Sequence, residues 1–148
     1  RSTIATSPPG FRLARSPFLA PIASHFLTKG TIAASLRNVY GDPAKVTPEL
    51  IERYYELTLR EGNRGALRER FKQSPGGENA GLIKGVKQPT LILWGGKDRL
   101  IPLQAGQRFS TDIRNSRLVV FDDLGHVPQE EDPARTVRAA MAFLRAVP

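Results

Sequence analysis

Two short runs that are apolar at nearly every position constrain this chain most: Thr90-Leu91-Ile92-Leu93-Trp94 and Leu118-Val119-Val120-Phe121. A strand with one wet face alternates polar and apolar residues, whereas a strand covered on both faces has no need to. Both runs are too short for helices, and each closes on turn residues, Gly95-Gly96 and Asp122-Asp123. They are expected to be strands of a parallel sheet, buried on both sides. Between them, Leu103 to Phe109 predicts a helix. After them, Asp132-Pro133 offers a cap and a first-turn proline, and Val137, Ala140, Met141 and Leu144 make one apolar stripe at helical spacing. Strand, helix, strand, helix is the order of an α/β fold.

The preceding residues read differently. Residues 1–22 are rich in Ser, Pro and Arg and are expected to be irregular. Residues 23–40 predict one or two short helices, with Ile32, Leu36 and Tyr40 recurring every four residues until Gly41-Asp42-Pro43. Thr47-Pro48-Glu49 is a helix start. Leu50, Ile51, Tyr54, Tyr55, Thr58 and Leu59 then line one face until Gly62. Asn63 is placed to cap a further helix carrying Leu67 and Phe71, and Ser74-Pro75-Gly76-Gly77 reads as a linker. The chain therefore divides into a helical half, residues 1–80, and a βαβα half, residues 81–148.

Composition narrows the chemistry. The chain has no cysteine, which excludes disulfides, a Cys-ligated zinc and a thiol nucleophile. With two histidines, a His-rich metal site is not expected. The net charge is +8, but residues 1–80 hold 12 basic and 7 acidic side chains and residues 81–148 hold 10 and 7. Glu49 and Arg53, and Glu56 and Arg60, also sit four apart, as on a solvated helix face. The spread of charge argues against a nucleic-acid stripe. No run of about 18 apolar residues suggests a membrane span. Pro17 to Leu27 has signal-peptide character, but no small-residue cleavage site follows, so a cytoplasmic location is expected.

Open parallel sheets gather chemistry beyond the C-terminal ends of their strands. Asp98 follows Trp94 by four residues, and His126 follows Phe121 by five. A carboxylate that accepts a bond from imidazole Nδ1 fixes the tautomer and leaves Nε2 as a base. Asp122 and Asp123 are runner-up acids. Glu130 and Glu131 are expected to brace the histidine loop or a helix N-terminus, and His25 is expected to be structural or to line the helical half.

The segment Pro89-Thr-Leu-Ile-Leu-Trp-Gly-Gly-Lys-Asp98-Arg-Leu-Ile-Pro102 resembles the strand and Gly-x-x-Asp turn of α/β-hydrolases. Leu124-Gly125-His126-Val127-Pro128, then Glu131-Asp132-Pro133, resembles the histidine loop and last helix of the same family. The resemblance covers about 60 residues, and the helical half resembles the cap inserted before those strands in many members. It implies the C-terminal part of an α/β-hydrolase sheet, two parallel strands with flanking helices, preceded by a helical cap. Asp98 and His126 would be acid and base of a serine carboxylic-ester hydrolase, with no metal or organic cofactor. Phe26, Tyr54, Tyr55 and Phe71 would shape a pocket for a small apolar ester-like substrate.

The family's nucleophile turn, Gly-x-Ser-x-Gly, is absent. None of Ser2, Ser7, Ser16, Ser24, Ser35, Ser74, Ser110 and Ser116 has glycine at both positions two residues away, and no equivalent aspartate turn occurs. The expectation is that the nucleophile lies in an N-terminal part of the same hydrolase, with which this chain folds, and that the isolated chain is inactive. Carbon–carbon bond hydrolase, epoxide hydrolase and dehalogenase chemistry stay open, as does a non-catalytic fragment or binding module.

Overall fold

A computed structural model describes residues 28–72 and 80–147. The predicted linker, Phe26 and His25 lie outside them. The chain falls into two compact units, residues 1–36 with 46–76, and residues 37–45 with 77–148. The short segment 37–45 thus groups with the strand-bearing residues rather than with the helices that precede and follow it.

The described elements of the first unit are helices. Helix α1 spans Lys29–Val39 and passes from the first unit into the second. Helix α2 spans Pro48–Leu59 and begins as its sequence predicts: Thr47 is extended, its hydroxyl accepts from Leu50 N at 3.2 Å, and Pro48 follows. That bond satisfies one of the free N–H groups of the first turn. Gly62, at φ +82°, takes the left-handed conformation that turns the chain into α3, Asn63–Lys72. Asn63 does not cap that helix as expected. It is already helical, and its side-chain amide donates back to Leu57 O at 2.7 Å, beside a bond from Arg64 Nε to Thr58 O at 3.0 Å. The residue satisfies the carbonyl ends of α2, because the turn brings those orphan acceptors within its reach.

In the second unit, a 3₁₀ turn at Ala80–Gly85 leads to β1, Thr90–Gly95, then α4, Leu103–Asp112, and β2, Ser116–Phe121. The two strands pair in parallel, in register from Thr90↔Ser116 to Gly95↔Phe121. Helix α4 packs on both strands. Gly106 permits this, since a Cβ there would lie 2.8 Å from the Trp94 ring. The short α5, Pro128–Glu131, and α6, Pro133–Ala146, complete the unit. Asp132 caps α6 through a 2.9 Å bond from Arg135 N. Leu124 is fully buried, with Phe121, Ile113 and Tyr40 nearly so.

Two expectations about burial need correction. The strands are half-buried rather than covered on both faces; only their final residues, Gly95 and Phe121, are buried. On α6 three of the four residues of the expected stripe are exposed, Val137 at 58%, Met141 at 44% and Leu144 at 63%, while Ala140 is half-buried. Helix α6 contacts β1 and α5, buries Thr136, and turns those three side chains away. The apolar periodicity is real, but among the described residues nothing covers these three side chains.

Candidate active site

The matched register sets the site. Because Gly95 pairs with Phe121, the loops beyond the two strands start side by side. Their backbones stay tied: Gly96 N donates to Phe121 O at 2.7 Å and Lys97 N donates to Leu124 O at 2.8 Å. The glycines make this approach possible. A Cβ on Gly95 would lie 2.6 Å from Leu124 O, and one on Gly96 would lie 2.7 Å from Asp122 Cα.

Asp98 stands at the turn after β1, with its side chain 5% exposed. Its Oδ1 accepts from Leu100 N at 2.8 Å and from Ile101 N at 2.9 Å. Its Oδ2 lies 2.8 Å from His126 Nδ1. Two backbone donors fix the carboxylate plane and leave the second oxygen to the ring. An ionised carboxylate can only accept, so this pairing selects the tautomer with hydrogen on Nδ1 and a lone pair on Nε2. His126 is 33% exposed, so the ring is open to solvent on part of its surface. The two residues singled out from sequence are thus brought into direct contact across 28 residues of chain.

The runner-up acids are engaged elsewhere or lie on the surface. Both carboxylate oxygens of Asp123 accept from Arg135 Nη1, at 2.9 and 2.8 Å. The hydrogen bonds from that guanidinium hold the Asp123 carboxyl below the usual aspartate range. Asp122 is exposed and packs its backbone over Gly96.

Glu131 does brace the histidine loop. It is 8% exposed, and its Oε1 accepts from Gly125 N at 2.6 Å. Its Oε2 accepts from Gly41 N at 2.9 Å and from Asp42 N at 3.5 Å. Glu130 accepts from the Tyr40 hydroxyl at 3.0 Å. Arg99 was not singled out from sequence. Its guanidinium donates to the carbonyls of Arg37 at 3.2 Å, Tyr40 at 3.0 Å and Gly41 at 3.5 Å. An arginine after a turn aspartate reads as an ordinary surface charge, so its partners carried no local signal.

The aromatic residues expected to line a pocket are described within their own unit. Tyr54 and Tyr55 belong to the first unit. Tyr54 lies under the Arg53 guanidinium, 5.6 Å from the ring centre, and borders a groove of about 440 Å³ with Leu57, Leu67 and Arg70. Tyr55 lies 5.4 Å from Lys29 Nζ. Phe71 is on α3, and Phe26 lies outside the described residues.

Comparison with known proteins gives this geometry a family. A family model described as alpha/beta hydrolase fold matches residues 20–133. An uncharacterised hydrolase, YugF, of Bacillus subtilis (strain 168) is 27% identical over 117 residues, which are 79% of this chain and 43% of that protein. A 2-hydroxy-6-oxononadienedioate/2-hydroxy-6-oxononatrienedioate hydrolase of Burkholderia vietnamiensis is 38% identical over 112 residues, covering 70% of this chain and 37% of that protein. The crystal structure of a meta-cleavage product hydrolase, CumD, aligns with a TM-score of 0.72 at 22% identity, covering 99% of this chain and 53% of that one. At that identity the last likeness speaks to fold alone. The chain spans less than half the length of either sequence relative. No helix among the described residues is long and apolar enough to cross a membrane. With a parallel strand pair, flanking helices and a family match over most of its length, this chain belongs to the α/β hydrolase fold family.

Proposed function

We propose that these residues supply the base and its orienting acid to a hydrolase whose nucleophile lies outside the 148 residues. The 2.8 Å contact between Asp98 Oδ2 and His126 Nδ1 carries this reading. Nε2 of His126 takes the proton of a serine hydroxyl as its oxygen attacks a substrate carbonyl carbon. The bond from that carbon to the leaving group then breaks, and the leaving group takes the proton from the imidazolium. Water, deprotonated in turn by His126, releases the acyl group and restores the serine. Asp98 orients the ring and stabilises its cationic form without leaving its own site.

The same steps serve a carboxylic ester or an activated carbon–carbon bond next to a ketone. The carbon–carbon reading is favoured by the relatives: besides the Burkholderia protein, a 2-hydroxy-6-oxononadienedioate/2-hydroxy-6-oxononatrienedioate hydrolase of Escherichia coli is 46% identical over 59 residues. The ester reading is supported by the shared acyl chemistry. In either case the 148 residues alone are expected to be inactive.

The test uses the intact protein. A fluorophosphonate should label a serine in the wild type, and His126→Ala should slow labelling and turnover by about 10³-fold or more. Absence of labelling in the wild type would overturn the serine mechanism, and an unimpaired His126→Ala would overturn the assignment of the base. Relative rates on a 2-hydroxy-6-oxo-dienoate and a p-nitrophenyl ester then separate the two substrate classes.

A further inference from the structure

Three things converge on the turn at residues 39–42. Its amide groups are taken by Glu131, whose second oxygen binds Gly41 N and Asp42 N. Its carbonyls at Tyr40 and Gly41, with that of Arg37, are taken by Arg99, the neighbour of Asp98. The carbonyl of Val39 accepts from the backbone N–H of His126 itself at 2.8 Å. The packing there leaves no slack: a Cβ on Gly41 would lie 2.6 Å from Asp123 O, and one on Gly125 would lie 2.8 Å from the Tyr40 carbonyl carbon.

Among the described residues, Glu131 is the side chain whose carboxylate bonds to both parts of this junction. One oxygen takes the peptide N–H immediately before His126, and the other takes the turn against which His126 N is docked. We propose that Glu131 is a positioning residue for His126: its buried carboxylate pins the Gly125 peptide to the turn at Gly41 and so fixes the height and pitch of the imidazole over Asp98. This rests on reading His126 as the base. A carboxylate suits the task because it is acceptor-only, and all the groups it meets here are backbone donors. Being largely buried, it faces little competition from water for those donors. The role differs from that of Asp98, which acts on the ring directly. Glu131 acts one peptide bond away, on the backbone that carries the ring.

The substitution Glu131→Gln keeps the shape but turns one oxygen into an NH₂ donor. That donor must face either Gly125 N–H or the Gly41 and Asp42 N–H groups, so one tie is lost. In the intact enzyme, kcat should fall about 10-fold with KM within about twofold, and Glu131→Ala should lower kcat about 100-fold, as a small misplacement of a catalytic group does. The low-field proton resonance of the His126 Nδ1–H···Asp98 bond should broaden or disappear in Glu131→Gln. A control for general destabilisation is Thr47→Ala, which removes a helix cap in the other unit and should leave kcat and that resonance unchanged. Wild-type kcat and an intact resonance in Glu131→Gln would overturn the proposal. So would an equal loss of kcat in Thr47→Ala, since that would mark a merely structural effect. Failure of the underlying reading is distinguishable, because it would show as an active His126→Ala enzyme.

Discussion

The two units of this chain are held together in different ways. In the first, hydrogen bonds such as Thr47 to Leu50, Asn63 to Leu57 and Arg64 to Thr58 reach three to six residues along the chain. Helix α2 buries no residue, and Leu57, Leu59 and Leu67 stand exposed. In the second, Tyr40 meets Glu130 across 90 residues, Arg99 reaches back 59 to Tyr40, and Asp98 meets His126 across 28. Leu124 has no exposed surface at all. Local bonds specify helices but leave their faces adaptable, whereas long-range bonds to backbone groups specify where loops sit. The Asp98–His126 pair proposed as acid and base lies in the region built the second way, which suits chemistry that depends on close placement.

The contrast can be broken most severely at Asp98. In Asp98→Asn the remaining oxygen can still accept from Leu100 and Ile101, but the amide nitrogen then faces His126 Nδ1 and forces the other tautomer. Turnover of the intact enzyme should fall by about 10³- to 10⁴-fold, with its denaturation midpoint moved far less. A loss below 10-fold, measured under saturating substrate, would mean the contact has no part in the reaction.

A matched pair of substitutions sharpens the comparison on the scale of stability. Gly125→Ala inserts a methyl group into backbone at the loop junction and should cost about 3 kcal/mol in denaturant unfolding. Thr47→Ala loses one capping bond and should cost about 1 kcal/mol. Equal costs would erase the distinction between a locally built and a globally tied region.

The smallest effect concerns the surface of the second unit. Arg135 lowers the Asp123 pKa, so their pairing supports the fold above the ordinary aspartate range and is lost as pH falls through the depressed value. In Arg135→Gln the Asp123 midpoint, followed by carboxyl carbon NMR, should rise toward that of an ordinary aspartate. The pair is exposed, so little change in stability at neutral pH should accompany it.

Much of this architecture is legible in the sequence because its signals are local. Apolar runs bounded by turn residues mark β1 and β2, Thr47 and Asp132 mark helix starts, and Asp98 and His126, each a few residues past a strand end, mark the candidate site. What escaped has partners that sequence distance hides. Arg99 looks like any surface arginine until the fold delivers three carbonyls to it. Asn63 has the right chemistry for a cap, but the geometry of the Gly62 turn decides which helix end it serves. The stripe of Val137, Met141 and Leu144 has the period of a buried face, yet periodicity names a face without naming its cover.

The in-register strand pair carries a consequence for anyone who re-engineers this chain. Asp98 and His126 are located by counting three residues past Gly95 and five past Phe121, from rungs that already face each other. The 20 residues from Gly96 to Asn115 that link the two strands contribute helix α4 and the acid's turn, but their number does not set the spacing of the pair. Insertions at the exposed turn around Arg114 and Asn115 should therefore be accepted as neutral spacers, making it a natural point for a reporter peptide or a new chain terminus. A single residue added between Phe121 and His126 has no such freedom, because it would shift the ring off its rung.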